Sequence, residues 1–287
     1  MKKNMTILAV AALLMGGCNN GYEPQPEDSN IIRVDATLGS TRATLTEFED
    51  GDMMGLYAVE YANEQAQPLQ LIGNYINNEP LTYNGTEWQA AQTLYWSNVA
   101  CDFYGIYPYM ELPTLKDLLF NISTNQSEGG YEASDLMWAS AKNISRENGT
   151  VHLPFQHLMS RVVVKLVKGP KYEGELPEKI DAHIYNTATT ALVNLVDGNL
   201  EKYAYSAKNT ITMRQVAEDT FDAIVVPQHI ENNTPLVEIT MEGIAYLLEY
   251  SLSFRPGYQH TITVTLNTSP DQEKIEINID GEVDDWK

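Results

Sequence analysis

Two histidines, His152 and His157, are the first side chains that a metal could use. They lie five positions apart in an extended run, which puts them on opposite faces of a strand and argues against a shared ion. Asp50 and Asp52 flank Gly51 and offer carboxylates of the kind calcium takes, but the same residues make an acidic β-turn. Asp284 and Asp285 are adjacent and point apart in an extended chain, so they are poor candidates for an acid–base pair. Tyr95, Trp96, Phe103, Tyr104, Tyr107 and Tyr109 could stack a sugar, although their alternation is that of core packing. There is no nucleophile elbow, phosphate loop, zincin pair or EF-hand loop. With two cysteines, Cys18 and Cys101, a disulfide framework and a cysteine zinc site are both excluded. No catalytic, metal-binding or cofactor-binding residue is expected, and no cofactor.

Cys18 is the one reactive side chain with an informative context. Lys2 and Lys3 precede the apolar run Ile7–Met15, which is too short to span a bilayer. Met15-Gly16-Gly17-Cys18 then resembles the lipobox of bacterial lipoproteins, with Met15 where leucine is usual. The resemblance implies a signal peptide over residues 1–17 and a lipidated Cys18 as first residue, attached to the outer membrane by its acyl chains. The competing reading is an ordinary secretory signal that leaves Cys18 a free thiol. Residues 18–30, with Pro24, Pro26, Glu23, Glu27 and Asp28, read as a tether. Next comes Ile31–Leu38, which alternates as a half-buried strand: Ile32, Val34, Ala36 and Leu38 on one face, Arg33, Asp35 and Thr37 on the other. Arg42 and Ala43 follow in Ser40-Thr41-Arg42-Ala43-Thr44.

The elements that must position these residues are strands. The chain has 287 residues, an apolar fraction of 43% and 17 tyrosines, which suits a globular β-protein of two ordinary domains. A net charge of -21 argues against a nucleic-acid partner and against a basic membrane patch. Asn84-Gly85 between Leu81–Tyr83 and Trp88–Ala90 marks a hairpin. Cys101, alternating with Val99 and Phe103, reads as a small core residue. Leu115–Phe120 is ambiguous between a helical turn and a strand, and Ser160–Lys168 is the most β-branched stretch. Gly169-Pro170 reads as a linker, dividing the mature chain into residues 31–168 and 169–287. The end alternates again, with Ile275, Ile277 and Ile279 on one face.

Four segments carry a family resemblance. Phe48-Glu49-Asp50-Gly51-Asp52-Met53-Met54-Gly55-Leu56-Tyr57-Ala58, Asp135-Leu136-Met137-Trp138-Ala139, His152–Val162 and Phe254-Arg255-Pro256-Gly257-Tyr258-Gln259-His260 together resemble the Bacteroidetes fimbrillin-like proteins, the subunits of type V pili. The resemblance spans Ile31 to Trp286. It implies an all-β fold of two tandem β-sandwich (transthyretin-like) domains, and a non-enzymatic subunit of a cell-surface fimbrium that supports adhesion. It also implies an assembly route. A trypsin-like protease cuts after Arg42, leaving Ala43 first; the strand carrying Ile32, Val34, Ala36 and Leu38 leaves; a strand from another fimbrial subunit takes its place. Burying those four side chains is worth roughly 5–9 kcal/mol, so removal without replacement would leave a sticky groove. Ile275, Ile277 and Ile279 are the candidate donor strand. The alternatives are a lipid-retained anchor or tip subunit, and a surface lipoprotein that binds host or bacterial glycans through exposed aromatics. If Cys18 is acylated, Cys18→Ala is expected to move the protein out of the membrane fraction; retention there would refute the lipidation.

Overall fold

The computed structural model describes residues 29–38, 48–267 and 277–286. Alternating apolar and polar residues, rich in Val, Ile and Tyr, give strands throughout. Nine come before residue 158: β1 (Arg33–Leu38), β2 (Met53–Ala62), β3 (Gln65–Ala66), β4 (Ile76–Tyr83), β5 (Trp88–Ala90), β6 (Cys101–Tyr107), β7 (Leu118–Asn121), β8 (Met137–Ile144) and β9 (Thr150–His157). Then come β10 (Ser160–Lys168), β11 (Ile180–Ala188), β12 (Thr190–Asn194), β13 (Asn199–Lys202), β14 (Lys208–Thr212), β15 (Arg214–Ala217) and β16 (Thr220–Val225). The last six are β17 (His229–Ile230), β18 (Pro235–Met241), β19 (Ile244–Glu249), β20 (Leu252–Ser253), β21 (Tyr258–Leu266) and β22 (Ile277–Asp285). The helices among the described residues are two single 3-10 turns, Glu132–Ser134 and Arg146–Asn148. The expected all-β class is therefore what the chain adopts.

The first sheet runs β1-β9-β8-β6-β2-β4-β5, with β3 added to β2. The Asn84-Gly85 hairpin forms as expected: Tyr83 pairs Trp88 and Leu81 pairs Ala90, with Gly85 at φ 83°. One face of this sheet builds a core from Val34, Leu56, Ala58, Phe103, Leu153 and Phe155, among others. Cys101 is buried in it, and burial pushes its thiol pKa up to about 11. Val99, which precedes the strand instead of continuing its alternation, is exposed.

A five-stranded sheet, β15-β16-β10-β21-β22, and a four-stranded sheet, β14-β11-β18-β19, enclose a second core. Val162, Val164 and Leu166 of β10 meet Ile180, Ala182 and Ile184 of β11 in this core, together with Ile262 and Val264 of β21. Tyr57, Val59, Tyr104 and Ile106 join the same cluster from the opposite face of β2 and β6, so these central strands are buried on both sides.

The division expected after Lys168 does not follow the sheets. β10 hydrogen-bonds to β16 and, in parallel, to β21, so the chain passes into the second set of sheets at Leu158-Met159. The ambiguous Leu115–Phe120 region yields β7, which pairs with β12 across the midpoint of the chain. A run of β-branched residues announces a strand but says nothing about its partner. Gln126, fully buried, ties the halves further. Its amide donates to the Ile224 carbonyl at 2.8 Å and accepts from the Ile224 N–H at 2.7 Å.

His260 on β21 is buried and accepts the Arg255 N–H at its Nε2, 3.0 Å away. Burial, and then the Arg255 charge, lower its pKa from 6.5 to about 4. The unfolded chain thus binds more protons than the folded one between these values. Stability is complete above about pH 6.5 and falls by on the order of 3 kcal/mol as pH drops to about 4. Denaturant midpoints measured across that window should show the loss, and His260→Gln should flatten it.

Candidate functional site: the leader strand and its groove

The alternation read in the leader is the alternation the fold uses. Ile32 and Val34 are 7% and 8% exposed and sit in the first core, while Arg33, Asp35 and Thr37 face solvent. Ala36 and Leu38 are only half-buried. That lowers the worth of the buried face from the earlier sum to roughly 4–7 kcal/mol. β1 runs parallel to β9, from Arg33 opposite Thr150 to Leu38 opposite Phe155. Space for Phe155 comes from Gly105 on β6, where a Cβ would meet the Phe155 ring at 2.5 Å.

On its other side, among the described residues, β1 is held by backbone bonds at its start. The Ile32 N–H donates to the Leu94 carbonyl at 2.8 Å, and the Trp96 N–H donates to the Asn30 carbonyl at 2.9 Å. Beyond this clasp, β1 and β5 are the two ends of the sheet path and share no ladder. Two clefts lie along that gap, of about 410 and 350 Å³. Phe48, Tyr83 and Trp88 wall the first. Phe48 meets Trp88 edge-on at 5.0 Å and Phe155 at 5.8 Å, so the wall is continuous with the core. At the outer face, the Asp35 carboxylate lies 3.0 Å from Nδ1 of His152 on β9. Such a site has no reactive group. Its chemistry is a backbone edge and a row of alternating apolar seats, which recognise another strand.

The remaining candidates resolve as structure. His152 is exposed and His157 buried, on opposite faces of β9. His157 Nδ1 pairs with Asp135 at 2.8 Å. Asp52 closes the Glu49–Asp52 turn and accepts the Tyr107 hydroxyl at 2.9 Å. Trp96, Phe103 and Tyr104 are core residues, whereas Tyr95 is 49% exposed. Ile277 and Ile279 lie in β22, opposite Leu266 and Val264 of β21. Cys18, Arg42, Ala43 and Ile275 lie outside the described residues.

Two features were not anticipated. The aromatic wall from Phe48 and Trp88 was one; its signal, Phe48 just ahead of a strand, was read only as a motif. The other is a clamp on the C-terminal strand. The Trp286 indole stacks on His157 at 3.8 Å and 9°, and the Trp286 backbone N–H donates to the Gly257 carbonyl at 3.0 Å.

Comparison with known proteins bears on this arrangement. The model of the family described as "Fimbrillin-like" matches residues 41–286. A curated protein of Bacteroides ovatus named as fimbrium tip subunit Fim1C is 34% identical over 194 residues, covering 57% of this chain and 35% of that protein. The chain thus spans about a third of that relative's length. A crystal structure from Bacteroides uniformis, named as a cell adhesion protein, superposes with TM-score 0.67 at 22% identity, covering 91% of this chain and 100% of that one. The tip fimbrial protein Mfa3 of Porphyromonas gingivalis, C-terminally truncated, gives TM-score 0.51 at 11% identity, covering 83% and 95%. At such identities the structures speak for the fold alone.

Val34→Asp would place a carboxylate in the first core, and a loss of about 3 kcal/mol or more is expected in urea unfolding. Asp35→Asn, one residue along on the solvent face, is expected to change stability by under about 0.5 kcal/mol.

Proposed function

The chain belongs to the fimbrillin-like family, a family of fimbrial structural proteins and not of enzymes, and from that premise we propose that it is a subunit of a cell-surface fimbrium with a role in adhesion. We propose further that it reaches the outer membrane as a lipoprotein through Cys18 and is cut after Arg42. The cut releases β1, and a strand from a neighbouring subunit enters the groove. Its partners are then other fimbrial subunits, the membrane through the lipid, and a host or bacterial surface ligand.

The observation that carries this reading is the way β1 is held. Its face supplies buried core residues, yet it pairs with β9 at a separation of over a hundred residues and in parallel. No hairpin ties it to its partner, and parallel pairing is slightly less stable per residue than antiparallel. A cut in the connection to β2 would leave β1 held by non-covalent contacts, chiefly side-chain packing, a six-residue ladder, the clasp and the Asp35–His152 contact. Its loss exposes Val151, Leu153 and Phe155 beside an open backbone edge, and an added strand repairs both.

Protein recovered from cells is expected to begin at Ala43, as N-terminal mass analysis would show. Arg42→Ala is expected to hold the protein unprocessed and to abolish detergent-resistant polymer ladders. Unimpaired polymer from Arg42→Ala would refute the processing step.

A further inference from the structure

On the adhesion reading above, we infer that the loop between β13 and β14 is a binding site for an acidic saccharide, with Tyr203 and Tyr205 stacking on a sugar ring and Lys202 and Lys208 meeting its carboxylate. Tyr205 is 85% exposed, more than any other large apolar side chain among the described residues. A single exposed ring is ordinary on a protein surface. Here the ring is paired. Tyr203, half-buried, meets it at 5.6 Å and 67°, an edge contact that buttresses Tyr205 while leaving most of it in solvent. Neither phenol hydroxyl is engaged among the described residues, so each is free to bond a ligand.

The loop that carries the rings is fastened at both ends. β13 pairs with β12 and β14 with β11, so the loop joins two sheets beside the corner where β11 passes into β12. At that corner the Ser206 hydroxyl accepts the Thr189 and Thr190 N–H groups, each at 3.1 Å. The Tyr203 N–H donates to the Thr190 carbonyl at 3.0 Å, and the Ser206 N–H closes back on the Tyr203 carbonyl at 3.0 Å. The Asn209 amide donates to the Thr189 hydroxyl at 2.8 Å. A loop tied in this way presents its rings with little ordering left to be done at binding. Tyrosine, with two side-chain torsions, adds little more.

Charge gives the class of ligand. The chain carries a net charge of -21, and several of its basic side chains are committed to carboxylates: Arg161 and Arg214 to Asp222, Lys142 to Asp102, Lys168 to Glu175. Lys202 and Lys208 are exposed and have no carboxylate partner among the described residues. Lys202 stands opposite Ala191 and Lys208 opposite Ala188, so both rise from the corner that holds the rings. Glu201, one residue before, lines a different cleft with Asp117 and Asn199. An anion repelled by the rest of the surface is therefore attracted here. The electron-rich ring faces suit the C–H side of a sugar ring. A polypeptide partner would need an apolar seat for its own side chains. The other side chains of the loop, Ala204, Ser206 and Ala207, are too small to build one.

The test is a ligand-observed NMR titration of the purified protein with sialyllactose, an oligogalacturonate and neutral lactose. An acidic probe is expected to bind more tightly than lactose, with the difference fading as salt rises. Whichever acidic probe binds tells a sialic acid from a uronic acid. Tyr205→Ala is expected to weaken that binding about tenfold or more, and Tyr205→Trp to retain it. Lys202→Gln with Lys208→Gln is expected to bring acidic and neutral probes within about twofold of each other. Equal binding of lactose by the unaltered protein, binding undiminished in Tyr205→Ala, or no binding of any probe would overturn the site. Beads coated with the protein and laid on an epithelial cell layer separate this result from the adhesion reading. Beads that adhere equally with Tyr205→Ala would remove the site and leave adhesion standing. Beads that never adhere would remove both.

Discussion

The structure depends on the parallel ladder between β1 and β9. Val34 of β1, with Ile32 just ahead of the ladder, is buried in the first core. Gly105 lets Phe155 reach inward, Phe155 meets Phe48, and Phe48 leans on Trp88 across the gap. The strand is thus a full member of the core by packing and a weak member by connection. Core membership makes its absence costly. Weak connection means that no tight turn joins the strand to its ladder partner, which lies over a hundred residues along the chain.

The second half of the chain contains an instructive contrast. β10 also pairs in parallel with a strand far along the chain, β21, so each half opens on a strand joined to a late one in the same sense. Yet β10 lies between β16 and β21, with ladders on both edges, whereas among the described residues β1 has a ladder on one edge only. The two strands are comparable in sequence, and Ser160–Lys168 is the longer and more β-branched. What distinguishes β10 from β1 is therefore its place in the sheet order, not its propensity. Because Gln126, β7 and the outer faces of β2 and β6 join the second core, the loss of β1 need not disturb that core.

This is also where reading the sequence reaches its limit. Period-two alternation identified the inward face of the leader, the Asn84-Gly85 hairpin and the strand at Ser160–Lys168, because each is a local property of side-chain order. It placed the domain division after Lys168, because Gly169-Pro170 looks like a linker and nothing local says that β10 pairs with β16 and β21. It overestimated the burial of Ala36 and Leu38, because alternation gives the face and not the depth; at that end of β1 the cleft is open. The His157–Trp286 stack joins residues far apart in sequence by shape alone, and no pattern in either neighbourhood foretells it.

Exposed strand edges must also be kept from pairing with one another. The start of β1 is clasped by Leu94 and Trp96, which removes part of its free edge. β22 is guarded differently. Asp280, Glu282, Asp284 and Asp285 are exposed along it, in a chain of net charge -21, so two such edges repel. Charge thus opposes edge-to-edge association of two such strands, while the side chains that pack against the core stay apolar and leave that face free of the repulsion.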